Sequence, residues 1–143
     1  MNKQSQYNNL KNVKVEKSEN SYPKNLNNLL VFFFQLKNDV KLFHWSTKFY
    51  GAHKTSDELL SKLDGNIDTF IEVLLGRLKV RPIINKQILI RTIEDDKIVE
   101  ILNDAIKILE IDIPKFIEYT ELLNIRDQML EDINQTLYLL TFK

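Results

Sequence analysis

Cysteine is missing from all 143 residues, which excludes disulfides, thiolate metal sites and a cysteine nucleophile. Glycine and proline occur three times each, too rarely for the frequent turns of an all-β chain. Charge of one sign is also lacking: 20 basic residues balance 20 acidic ones, so no overall field calls for nucleic acid or an anionic surface. The longest apolar run, Leu29 to Phe34, is far short of the ~20 residues of a membrane span. The opening MNKQSQYNNLKNVK is too polar for a secretory signal. Together these features predict a soluble, cytoplasmic, mostly helical protein that makes no use of a membrane. Its length suits one domain with a real core.

What is present is helical periodicity. Residues 1–24, rich in Asn, Lys and Ser, read as a flexible tail carrying five lysines and two glutamates, 5 − 2 = +3. The domain is expected over 25–143. Leu29, Phe33, Leu36, Val40 and Phe43 form the stripe of a first helix running to about Lys48. Gly51 marks a break. Leu60, Leu63, Ile67, Phe70, Leu74 and Leu78 mark a second helix, which Pro82 is expected to end. Residues 81–92 have no helical period. A third helix opens at Glu94-Asp95-Asp96, and Pro114 kinks or ends it. The fourth runs from about Ile125 to Leu140. The fold class is thus all-α, a four-helix bundle. About twelve extended residues between helices two and three reach ~40 Å, as far as a helix of about 27 residues. That connection could cross the whole bundle, as ferritin-like folds require; an idle surface loop is the other reading.

Only two histidines are available, and both sit among carboxylates. His44 ends the first helix beside Trp45, itself expected to be a half-buried aromatic. His53 opens the second helix, with Asp57 at i+4 on the same side, and Asp68 and Glu72 repeat that spacing. With His53 at zero and about 100° per residue, Asp57 falls near 40°, Asp68 near 60° and Glu72 near 100°. These four make one polar stripe beside the buried face. The plain alternative is a set of solvated surface charges.

Asp57 and Asp68 are eleven residues apart, ~16 Å along a helix, so the two pairs cannot grip one metal within a chain. Two copies of the second helix, antiparallel about a two-fold axis near Leu63, would bring His53 and Asp57 of one to Asp68 and Glu72 of the other. Gly65 lies near that axis and would permit close approach.

The run His44-Trp45, His53-x-x-x-Asp57-Glu58-Leu59 and Asp68-x-x-x-Glu72 resembles the ferroxidase signature of Dps proteins, the mini-ferritins. The resemblance covers about Asn38 to Arg77. It implies that His44, His53 and Asp57 form one half-site and Asp68 and Glu72 the other, at a two-fold interface of a ferritin-like homo-oligomer, the hollow dodecamer of the family. It further implies oxidation of Fe(II) by peroxide or oxygen and storage of the ferric product. Zinc suits the same ligands. Trp45 would be placed to intercept oxidising equivalents. The basic tail, multiplied by an oligomer, would hold DNA; its plainer reading is an inert leader. The loop from His44 to His53 is a few residues shorter than is usual in Dps proteins, which predicts that His44 is the member most easily displaced. The ending LLNIRDQMLEDINQTLYLL also resembles short viral Dps-like proteins, implying a host cytoplasm or a virion. The competing reading is a structural or interaction bundle with little chemistry.

Overall fold

The computed structural model describes Pro23 and residues 26–142; Pro23 apart, the expected tail over 1–24 lies outside the described residues. Helix α1 is Leu26–Ser46 and α2 is Tyr50–Leu78. Helix α3, Lys97–Lys107, continues as a π turn, Ile108–Asp112, and a 3-10 turn, Ile113–Lys115. Helix α4 is Thr120–Leu139. Among the described residues there is no strand, so the chain is all-α. None of its described helices is long and apolar enough to cross a membrane.

Most of the periodic residues form the core; in α2 Leu59 is buried where Leu60 was expected, and Leu60 and Leu78 are only partly buried. Leu29, Phe33, Leu36, Val40 and Phe43 of α1 face Leu59, Leu63, Ile67, Phe70 and Leu74 of α2, all buried. Phe33 and Phe70 meet edge to face at 5.5 Å. Each such side chain contributes about 1.5–3 kcal/mol on leaving water. Ile98, Leu102 and Leu109 from the third segment and Leu122, Met129 and Ile133 from α4 complete the core.

Some boundaries depart from expectation. The break falls at residues 47–49, and Gly51 lies inside the first turn of α2. Helix α2 ends at Leu78 rather than at Pro82, because Lys79 turns left-handed (φ 55°) and its N–H closes on the Leu75 carbonyl. A non-glycine residue in that conformation leaves no sequence signal. Helix α4 starts five residues earlier than expected. Its extra turn is in phase, since Leu122 lies seven residues before Met129 and is buried.

Pro114 shapes the end of the third segment. The Ile113 N–H reaches back to the Ile108 carbonyl in the wide π register. The next bond in that register would come from residue 114, and proline has no N–H to give. The Leu109 carbonyl is served instead by the Arg126 guanidinium of α4 at 3.1 Å.

Cross-links give the order of the bundle. Arg77 meets Glu121, Asn66 meets Asp132 and Lys62 meets Gln135, so α2 and α4 run antiparallel. The non-helical residues after Lys79 run alongside α1 in the same direction. Asn27 donates to the Ile83 carbonyl, Gln35 bonds both N–H and carbonyl of Leu89, Asp39 pairs with Arg91, and Thr47 donates to Asp95. Positions 27 to 47 span about 30 Å of helix. The chain therefore runs up, down, back up without helix, then down and up again, with α2 and α3 parallel.

Candidate metal centre

The tight turn after α1 brings both histidines together. Phe43 accepts from the Thr47 N–H at 2.9 Å, which closes α1, and three residues later α2 begins. The imidazoles of His44 and His53 stack with centroids 3.8 Å apart and planes 20° from parallel. Each Nδ1 lies 2.8 Å from the main-chain carbonyl of the other histidine. A carbonyl only accepts, so Nδ1 carries the proton in both rings and donates it. In each neutral ring Nε2 is then the unprotonated nitrogen, the form a metal ligand needs. Ser56, buried one turn into α2, donates to the Ala52 and His53 carbonyls and lies 3.3 Å from His44 Nδ1. His44 itself is buried. The three-residue turn between α1 and α2 brings it against His53.

The carboxylates present a different picture. Asp57, Asp68 and Glu72 are exposed on α2 and make no hydrogen bond or ion pair among the described residues. Asp64, between them, is tied to Lys37 of α1. Asp57 lines a shallow depression of about 430 Å³ between α1 and α2, with Lys41, Leu60 and Asp64. Asp68 lines a neighbouring one of about 400 Å³, with Phe34, Gly65 and Ile71. Lys37 and Asp64 border both, so the two carboxylates open onto one groove. A Cβ built at Gly65 would meet nothing within 4 Å, so the chain's own packing does not require glycine there. Within one chain, no group of three or more His, Asp or Glu among the described residues could hold a metal ion. The geometry therefore joins His44 to His53, while within one chain Asp57, Asp68 and Glu72 complete no metal-holding group with them.

Sequence reasoning missed three participants. Ser56 left one faint signal, a hydroxyl three residues after His53. Lys37 and Lys41, at the groove, left none. Trp45, expected to be half-buried, is 68% exposed, because it lies on the side of α1 away from the core. Glu121, in the first turn of α4, is held below the ordinary carboxylate value of 4.5 by its backbone N–H bonding and by Arg77.

No curated protein and no solved structure matches the chain. One family model matches residues 44–140, a span holding all five candidate ligands. The chain belongs to that family, DUF5856, a family of unknown function.

Proposed function

We propose that the chain is a ferritin-like subunit of the Dps kind that binds Fe(II) as substrate at a site completed by a second copy, oxidises it with peroxide or oxygen, and retains the ferric product. The observation that carries this reading is the His44–His53 pair, whose reciprocal Nδ1 bonds reserve both Nε2 atoms for a ligand role. Such second-side hydrogen bonds to carbonyls are what orients metal-binding imidazoles. The chain order and the long non-helical return along α1 support the ferritin-like fold with its single long crossover.

His44, His53 and Asp57 make one half-site, and Asp68 and Glu72 of the partner copy the other. Mixed imidazole and carboxylate donors suit Fe(II), and the carboxylates favour the Fe(III) product. Two Fe(II) ions supply the two electrons that reduce one peroxide. Zinc would compete for the same donors. A homo-oligomer on the α2 two-fold follows directly, and a closed shell would give the product somewhere to accumulate. The basic tail could then add DNA contacts.

The test is anaerobic Fe(II) titration followed by peroxide, on the native chain, Asp57→Ala and Glu72→Ala. Stoichiometric binding with rapid oxidation, both lost in each variant, is the expected result. Equally slow oxidation in all three proteins would sink the proposal in favour of an interaction bundle.

A further inference from the structure

The groove between α1 and α2 carries opposite features on the two sides of its midpoint. The Lys37–Asp64 ion pair marks that midpoint, because it borders both depressions. On the side toward the α1–α2 turn, Leu60 and Ser61 line the depression of about 430 Å³ together with Lys41. On the other side Phe34 stands 53% exposed, in the depression it shares with Asp68. Lys41 and Asp68 make no ion pair among the described residues; the Lys41 Nζ lies 5.3 Å from the Trp45 ring centroid. A hollow with an unpaired cation is thus set against an exposed ring with an unpaired carboxylate. The spacing is regular. Phe34 and Lys41 lie three residues before and four after Lys37, and Leu60 and Asp68 lie four before and four after Asp64. A half-turn about the midpoint, perpendicular to the helices, exchanges the two levels.

We infer that a second copy of this chain docks antiparallel in the groove, with Phe34 seated over the partner's Leu60 and Lys41 paired with the partner's Asp68. The inference rests on the second copy of the proposed function and not on its iron chemistry. The pattern selects a copy over a foreign helix. An unrelated partner needs only a hollow or a knob, whereas a surface bearing both, with opposite charges at matching distances from a centre, complements itself. An aromatic ring suits the middle of such a contact, and charges of opposite sign fix its register. Gly65, one residue from the midpoint, adds room. A Cβ there would meet nothing within 4 Å in the chain, and its absence lets two helices approach closely. The overlay also carries Asp57 toward the partner's Asp68 and Glu72. Without metal, Lys41 is the cation that offsets this crowding of carboxylates.

Sedimentation velocity of the full chain, freed of metal by chelator, reads the contact directly. The native chain should sediment as a dimer or a multiple of dimers. Phe34→Glu should raise the dissociation constant about a hundredfold, because the two-fold removes the anchor twice. Lys41→Glu and Asp68→Lys should each raise it about tenfold, and both together in one chain should restore the native affinity. Circular dichroism checks that the variants remain folded. A monomeric native chain would leave the groove to another partner and overturn the proposal. Undiminished dimerisation of Phe34→Glu, or a double exchange no better than the single ones, would place the contact elsewhere and overturn it as well. The two readings fail separately. A dimer that passes these tests yet oxidises no Fe(II) would sink the iron chemistry and leave the interface standing. A monomer that still oxidised Fe(II) rapidly would spare the chemistry and sink the interface.

Discussion

Asp39 is the most deeply buried charge among the described residues, 2% exposed on the inner side of α1, and it faces Arg91 at 3.2 Å and Gln35 at 2.9 Å. A buried carboxylate survives only with such partners. Arg91→Ala removes the opposite charge, and a loss of about 1–3 kcal/mol is expected. Adding Asp39→Asn should recover part of that loss; no recovery in urea unfolding would show that Arg91 acts through packing alone. Asp132 has the opposite character. Burial raises its carboxyl above the ordinary 3.8, with Lys62 pulling the other way. The folded chain therefore holds this proton to higher pH than the unfolded chain, so the group opposes folding while ionised and ceases to as pH falls through its folded value. Asp132→Asn should raise the melting temperature at pH 7 and flatten the acid side of the stability profile. A lower melting temperature would mean that the Lys62 and Asn66 contacts outweigh burial. Neither residue was legible in advance: a carboxylate at i+4 from a glutamine on one helix gives no hint that an arginine 52 residues on will reach it. His53, Asp57, Asp68 and Glu72 were legible as one stripe because helical phase is local, while His44, on another helix, joined them only through the family resemblance. The stacking of His44 on His53 was not, since it depends on a turn only three residues long.

At the level of elements, apolar period located all four helices, and the misplaced boundaries share one cause. Lys79 ends α2 and Tyr119 precedes α4 without glycine or a capping side chain, so the usual punctuation is missing. Pro114 was visible, but its consequence was not. It removes the donor for the Leu109 carbonyl, and Arg126 of α4 fills the place. Leu109 is fully buried, so water has poor access to a released carbonyl. Arg126→Ala is accordingly expected to cost about 1–2 kcal/mol, read as a shift in the urea midpoint. Loss below a few tenths would show that the π turn relaxes to satisfy itself. The return segment along α1 depends on one side chain in a similar way. Gln35 accepts from the Leu89 N–H at 2.7 Å and donates to its carbonyl at 2.9 Å, in the manner of a neighbouring strand. Gln35→Ala should leave the helices protected and abolish hydrogen-exchange protection at the Leu89 amide.

For the whole molecule, the decisive property is whether the site belongs to one chain or two. Eleven residues separate Asp57 from Asp68 on one continuous helix, and both open onto the groove between α1 and α2. A second copy laid antiparallel in that groove would supply what each half lacks. On the proposed reading, Asp57→Ala damages the histidine half-site and Glu72→Ala damages the carboxylate half-site. If the chains were independent, mixing the two variants could restore nothing. In a dimer with shared sites, each mixed pair holds one doubly damaged site and one intact site. Random exchange makes half the dimers mixed, so about a quarter of all sites should regain function. The measurement is peroxide-driven Fe(II) oxidation after the two variants are unfolded and refolded together, against each refolded alone. Recovery near a quarter of the native rate requires both chains at one centre, because no arrangement within a single chain can produce it. A mixture as inactive as its components would place the carboxylates and histidines in separate roles and leave His44 and His53 as a structural clasp.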